Sequence, residues 1–182
     1  MDPCARVPVS ACDRLGNAGA RIDRFEHPAL SEAFAMAGPL YTADAWAWWR
    51  DRIMADPDRM FPQILERVRA GAEVNAADYL AHWMRLRELR TAWAAATAPY
   101  DAVILPTAPI LPPQVDRLMT DDAYYKAQNL AALRNTRVAN LMGTCAITLP
   151  TGVPSTGLML MGRAGDEERL LRIAAAAEEA LS

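Results

Sequence analysis

The sequence predicts an α/β protein with a mixed, mostly parallel sheet flanked by helices. Three observations lead there. Short apolar runs, "AVIL" at 102–105 and "CAITLP" at 145–150, are bounded by Pro, Gly or Asp, as buried strands are. Longer stretches repeat apolar residues at helical spacing, most clearly over 76–98. The two kinds of segment alternate along the chain, which is the pattern of layered α/β folds.

Each element has its own warrant. The first helix opens in "VSACDRLG", where Val9, Cys12 and Leu15 share a face and Gly16 and Gly19 offer left-handed stops. A strand is expected next in "ARIDRFEHP": Ile22 points to one side, Arg21 and Asp23 to the other, and Pro28 ends the run. From 29 to 71 the pattern predicts broken helices: "ALSEAFAMA" halted at Gly38 and Pro39, "ADAWAWWRDRIMA" capped by Thr42, and "QILERVRA" after Pro62. The clearest helix runs from Ala76 to about Ala98. Asn75 caps it, Asp78 sits at the positive end of its dipole, and its apolar stripe is Tyr79, Trp83, Leu86, Leu89 and Trp93.

Strand Ala102–Leu105 follows, and the prolines after it turn the chain out of the sheet at Pro106. A helix starting at Thr120, with Asp121 and Asp122, is expected to run through to a stop at Gly143. "CAITLP" is the next buried strand, "TGVPSTG" a turn, and "LMLMGR" a returning strand suited to a hairpin or a near neighbour. Asp166 is placed to cap the last helix, whose apolar side carries Leu170, Leu171, Ile173, Ala174 and Leu181.

Composition narrows the function classes. With 182 residues, 52% apolar and 23% charged, the chain has the make-up of a soluble globular domain. A net charge of -3 without any Lys/Arg block argues against nucleic acid or an anionic membrane as partner. No apolar run approaches the roughly 18 residues of a bilayer span, and the N-terminus lacks a signal-peptide core, so a cytoplasmic location is expected. Cys4, Cys12 and Cys145 have no metal-ligand or redox spacing, and Cys145 reads as a small buried hydrophobe. His27 and His82 lack carboxylate or Cys neighbours at ligand spacing, so no metal site and no cofactor is expected. The adjacent pairs Asp121 and Asp122, and Glu178 and Glu179, splay apart on helices and form no acid–base dyad.

The order of three stretches, "YDAVILPTAP", "RNTRVANLMGTCAITLPTG" and "GLMLMGRAGDEERLLRIAAAAE", resembles the C-terminal part of the amidase signature family, serine hydrolases of carboxylic amides. "ACDRLGNAGARIDRFEHP" is similar to the family's helix and strand just after its catalytic region. The resemblance implies a Ser nucleophile, a second Ser joined through a cis peptide, and a Lys base, with the two serines in a Gly/Ser-rich stretch and all three N-terminal to the matched part. A neutral Lys accepts the proton through the bridging Ser, and convergent backbone N–H groups stabilise the oxyanion. This sequence departs from that pattern. Its serines are Ser10, Ser31, Ser155 and Ser182, none in a Gly/Ser-rich turn, and its single lysine is Lys126, so no catalytic residue is assigned.

The resemblance further implies a C-terminal portion of an amidase domain over 1–182, with 29–98 a helical insertion and 100–182 a strand–helix core. Such a chain would take part in hydrolysis of carboxylic amide C–N bonds and be inactive without an N-terminal catalytic half. The alternatives are a non-catalytic amidase remnant serving binding or assembly, and a small enzyme built on Ser155 and Lys126. Tyr79, Trp83, Thr107 and Ile110 are the substrate-binding walls that the family analogy suggests, with core packing as the competing role for each. Asn135 and Asn140 are expected to hydrogen-bond nearby backbone and hold the helix against the strand. The expected partners are a small-molecule amide in the complete enzyme and either a complementary N-terminal half or a second copy. Bare strand edges and an uncovered apolar face would leave the isolated chain marginally stable, oligomeric or aggregation-prone.

Overall fold

The computed structural model of the protein describes the backbone of residues 3–182 and the side chains from residue 10 onward. The described residues are mostly helical, at 64%, with one small three-stranded antiparallel sheet. This overturns the expected mixed, mostly parallel sheet flanked by helices. Strand β1 (Val103–Pro106), strand β2 (Ala146–Pro150) and strand β3 (Gly157–Met161) stand in the order β1-β3-β2. Strands β2 and β3 are joined by the short turn at 151–156, which can link only antiparallel neighbours. Strand β1 then adds antiparallel to the far side of β3, Val103 facing Met161 and Pro106 facing Leu158. The segment around Ile22 forms no strand. It is irregular, and Ile22 is exposed, because a strand needs a paired neighbour and none of the described residues pairs with it.

Two compact units divide the chain, one of Met1–Glu26 with Trp93–Ser182, the other of His27–Ala92. In the first, helix α1 (Pro3–Asn17) and the C-terminal helix, α8 (Glu167–Leu181), pack on one face of the sheet. Ala11 and Leu15 of α1 meet Leu158 and Leu160 of β3 and Leu170, Ala174 and Leu181 of α8 in one buried cluster. Cys12 is half-buried, and burial together with nearby Asp13 pushes its thiol pKa up; the Val9 side chain lies outside the described residues. Leu171 is exposed rather than on the apolar side, and Asp166 stands at the start of α8 without a side-chain capping bond; its carbonyl accepts from Leu170 N–H at 3.1 Å.

In place of one helix from Thr120 to Gly143 there are three short ones: α5 (Val115–Thr120), α6 (Asp122–Ala132) and α7 (Thr136–Met142). Thr120 ends α5, and Asp121 caps α6 by accepting from Tyr124 N–H at 2.9 Å. Gly143 does end α7, in the left-handed region at φ 67°. Strand β2 is less buried than expected: Leu149 is buried, whereas Ala146, Thr148 and Pro150 are exposed.

The second unit holds α2 (Ala29–Ala55), α3 (Pro62–Arg69) and most of α4 (Ala76–Thr97). The expected break at Gly38 and Pro39 does not occur. Helix α2 runs through it, because Met36, Ala37 and Leu40 are buried side by side and tertiary packing outweighs the lost N–H of Pro39. Thr42 is therefore an interior helix residue, not a cap. Gly71, in the 3-10 turn Ala70–Glu73, allows the closest approach in this unit: a Cβ there would stand 2.0 Å from the Thr42 carbonyl oxygen. Asn75 does cap α4, accepting from Asp78 N–H at 2.9 Å. A forked ion pair joins Arg85 of α4 to Glu32 of α2 and holds the Glu32 carboxyl below its usual range.

Candidate functional site

A cleft of about 300 Å3 opens in the first unit between the chain leaving β1 and the turn that joins β2 to β3. Its position follows from register. Antiparallel pairing sets Gly157 opposite Pro150, and Thr107 N–H donates to Gly157 carbonyl at 2.9 Å, so three strand ends meet at one corner of the sheet. Gly157 is needed there. A Cβ on it would stand 2.7 Å from the Thr148 methyl and 2.8 Å from Thr107 Oγ1, so the missing side chain lets these two threonines close over the backbone, their hydroxyls 3.1 Å apart.

The apolar wall comes from Pro106, Ala108, Ile110, Leu111 and Leu158. Thr107, Thr148, Thr151, Thr156 and Ser155 supply hydroxyls. Thr151 is buried; its hydroxyl meets that of Thr156 and accepts from Val153 N–H at 3.4 Å, which folds the turn on itself. Arg14 of α1 supports the turn from outside the cleft, donating from Nη2 to the Thr151 carbonyl at 2.5 Å and from Nη1 to the Leu181 carbonyl at 2.7 Å. Asn135, just ahead of α7, donates from Nδ2 to the Pro106 carbonyl at 2.7 Å and fixes the exit of β1 beside the cleft.

The lining residues present apolar surface and hydroxyls, suited to enclosing an uncharged group and hydrogen-bonding to it. Ser155 has a left-handed backbone, φ 62°, and is exposed at the rim. Lys126 lies on α6 and is not among the lining residues, so the cleft does not bring this pair together. Ile110 also borders a shallower recess where Arg117 stacks 4.0 Å over the Tyr124 ring and pairs with Asp121 at 3.3 Å.

Of the four wall residues suggested by sequence, Thr107 and Ile110 line the cleft. Tyr79 and Trp83 lie on α4 in the other unit, edge to face with centroids 6.4 Å apart. The Tyr79 hydroxyl donates to Asp44, which raises its phenol pKa, and Arg90 stacks on Trp83 at 5.5 Å. Sequence reasoning missed Thr148, Thr151, Thr156 and Gly157. Their signal was the Thr-rich turn "TLPTGVPSTG", which marks a loop but not what faces it. No group of His, Cys, Asp and Glu able to hold a metal occurs among the described residues, and none of their helices is long and apolar enough to cross a membrane.

The amidase family model matches residues 2–171, and the chain belongs to the amidase signature family. A curated relative, 2-amino-5-chloromuconic acid deaminase of Comamonas testosteroni, is 33% identical over 181 residues, covering 96% of this chain and 39% of the relative. A glutamyl-tRNA(Gln) amidotransferase polypeptide of Desulforamulus reducens is 30% identical over 125 residues, 64% of this chain and 25% of that protein. Among solved structures, an S177A allophanate hydrolase of Kluyveromyces lactis superposes with a TM-score of 0.85 at 18% identity, covering the whole chain and 30% of that protein. The 6-aminohexanoate cyclic dimer hydrolase complexed with substrate gives 0.78 at 23%, again over the whole chain and 42% of its own. The chain thus spans about two fifths of the length of the curated relative it matches over most of its own length.

Proposed function

We propose that this chain is the C-terminal, non-nucleophilic part of an amidase: it supplies a wall of the substrate pocket, while the Ser–Ser–Lys machinery comes from polypeptide beyond these 182 residues. The observation that carries the reading is the pairing of a family match over 2–171 with coverage of 39% of a 33% identical relative. The chemistry of the cleft supports it. The lining residues offer apolar contact and hydroxyls without a base to activate any of them. In the assembled enzyme, Thr107 and Ile110 border the acyl side of a carboxylic amide and the turn at 151–156 closes that wall. For Tyr79 and Trp83 the proposal rests on the family resemblance, and alanine there is expected to raise KM.

The test is to express the 182-residue chain alone and together with the N-terminal catalytic part of an amidase of this family, then follow ammonia or amine release from a panel of carboxylic amides. The expected result is no hydrolysis and no fluorophosphonate labelling by the chain alone, with both appearing on co-expression. Labelling of the isolated chain that Ser155→Ala abolishes would overturn the reading in favour of an independent enzyme. No hydrolysis from the assembled pair would overturn it in favour of a non-catalytic remnant.

A further inference from the structure

The turn at 151–156 is held in a conformation it would not keep unaided. Ser155 has a left-handed backbone, φ 62°, which a residue with a Cβ retains only where surrounding contacts fix it. Within the turn, Thr156 donates to the Val153 carbonyl from both Oγ1, at 2.8 Å, and N–H, at 3.3 Å, and those bonds set the shape of the loop. Its place over the cleft is set from α1. Arg14 Nη2 donates to the Thr151 carbonyl at 2.5 Å and Nη1 to the Leu181 carbonyl at 2.7 Å, so one guanidinium joins the start of the turn to the end of α8. The Leu181 carbonyl is one of the four that a helix leaves open at its C-terminus, where a cation is favoured. Thr151 is buried, and so is Arg14 Nε, which finds no partner among the described residues. The clamp is thus made largely out of water, where bonds from a charged donor are strongest. All these residues belong to the sheet unit.

We propose that Arg14 is a positioning residue for substrate binding: through the Thr151 carbonyl it holds the turn where Thr151, Ser155 and Thr156 wall the cleft. It does not line the cleft itself, and the inference rests on the reading of that cleft as the acyl wall of an amide pocket. The planar fork suits the task. Two nitrogens of one rigid group reach two carbonyls on different elements, so covalent geometry fixes the separation of turn and helix, whereas an ammonium offers a single point. Without the clamp the turn keeps its internal bonds but is free to swing from the cleft, which weakens ground-state and transition-state binding alike. Such a loss raises KM and leaves kcat nearly unchanged.

The test compares Arg14→Gln and Arg14→Lys with Leu15→Ala, which removes packing from the same helix and keeps the clamp. In the chain assembled with the N-terminal catalytic part of an amidase of this family, Arg14→Gln should raise KM about tenfold and Arg14→Lys by less, each changing kcat by less than about twofold. Leu15→Ala should lower the melting temperature and leave KM as it was. Hydrogen exchange on the 182-residue chain by itself reads the same clamp without any hydrolysis. In Arg14→Gln the amides of Val153, Ser155 and Thr156 should exchange faster, and those of Leu158 and Leu160 in β3 at the wild-type rate. Unchanged exchange in the turn would overturn the proposal, as would an equal rise in KM in Leu15→Ala or a loss confined to kcat. An assembled wild type without hydrolysis counts against the amidase reading alone, and exchange then decides whether Arg14 holds the turn.

Discussion

The sheet unit and the helical unit both bury large side chains, Leu40, Ile53, Leu86 and Leu89 among them in the helical unit, and the helical unit also packs one helix through a run of small ones. In the sheet unit Leu158 and Leu160 of β3 and Leu170 and Leu181 of α8 are all at most 3% exposed. In the helical unit the buried face of α2 begins with Ala29, Ala33 and Ala37, while Trp48 stands 83% exposed and Trp49 46%. Small residues let helices approach closely and so depend on backbone clearance; large ones depend on filled volume. Positions therefore fail by different substitutions according to whether packing there rests on filled volume or on clearance.

The largest expected effect belongs to filled volume. Leu160→Ala should cost about 2–5 kcal/mol through lost transfer energy and a cavity between β3, α1 and α8. Trp48→Ala removes a larger side chain yet should change stability by no more than about 0.5 kcal/mol, since it gives up little burial. Chemical denaturation of the two variants decides the matter, and a cost for Trp48→Ala equal to that for Leu160→Ala would show that burial does not set the cost.

Next is clearance. Gly71→Ala puts a Cβ 2.0 Å from Thr42 O, 2.4 Å from Thr42 C and 2.8 Å from Trp46 Cβ, and the first two are backbone atoms that cannot swing away. The expected cost is about 3 kcal/mol, the upper range of overpacking. Gly38→Ala is the counterpart. It lies inside α2 with nothing within 4 Å of its Cβ position and should stabilise by about 0.5–1 kcal/mol through lower unfolded-state entropy. Opposite signs for two glycines of one unit, read from melting temperatures, would establish that clearance and not composition sets the outcome.

Gly157→Ala sharpens the comparison from the sheet side, because its close neighbours are side-chain ends, the Thr148 methyl and Thr107 Oγ1. These can rotate, so a smaller loss of about 1–2 kcal/mol is expected. The Thr148→Ser change, which removes the obstructing methyl, should recover part of it in the double variant. Failure of Thr148→Ser to recover any of the loss would place the strain in the backbone instead.

These positions also explain what could be read in advance. Helix α4, its cap at Asn75, the stop at Gly143 and the β2–β3 hairpin were legible because each is specified by residues within a few positions of one another. The parallel sheet was misread because alternation of helices and strands does not encode which strand lies beside which, and the order β1-β3-β2 is fixed by pairings across the chain. The break at Pro39 failed for a related reason, since burial of Met36 and Leu40 decides there. In the cleft, Thr107 and Ile110 came into view through the family resemblance, but Thr148 enters from 41 residues away by register, and no local pattern predicts that meeting.

The smallest effect tests the polar side of the helical unit. Tyr79 donates its hydroxyl to the Asp44 carboxylate, and that bond is the main reason its pKa rises in the folded state, with burial adding to it. A group whose folded pKa is raised binds its proton more tightly when folded. Its contribution to stability is therefore complete below the ordinary phenol value near 10 and is lost as the pH climbs through the raised folded value. Phenolate absorbance should show one tyrosine titrating above the others, and Asp44→Asn should bring it back down, because the amide oxygen accepts the bond without the carboxylate charge. An unchanged titration in Asp44→Asn would mean that burial and not the Asp44 contact sets the shift.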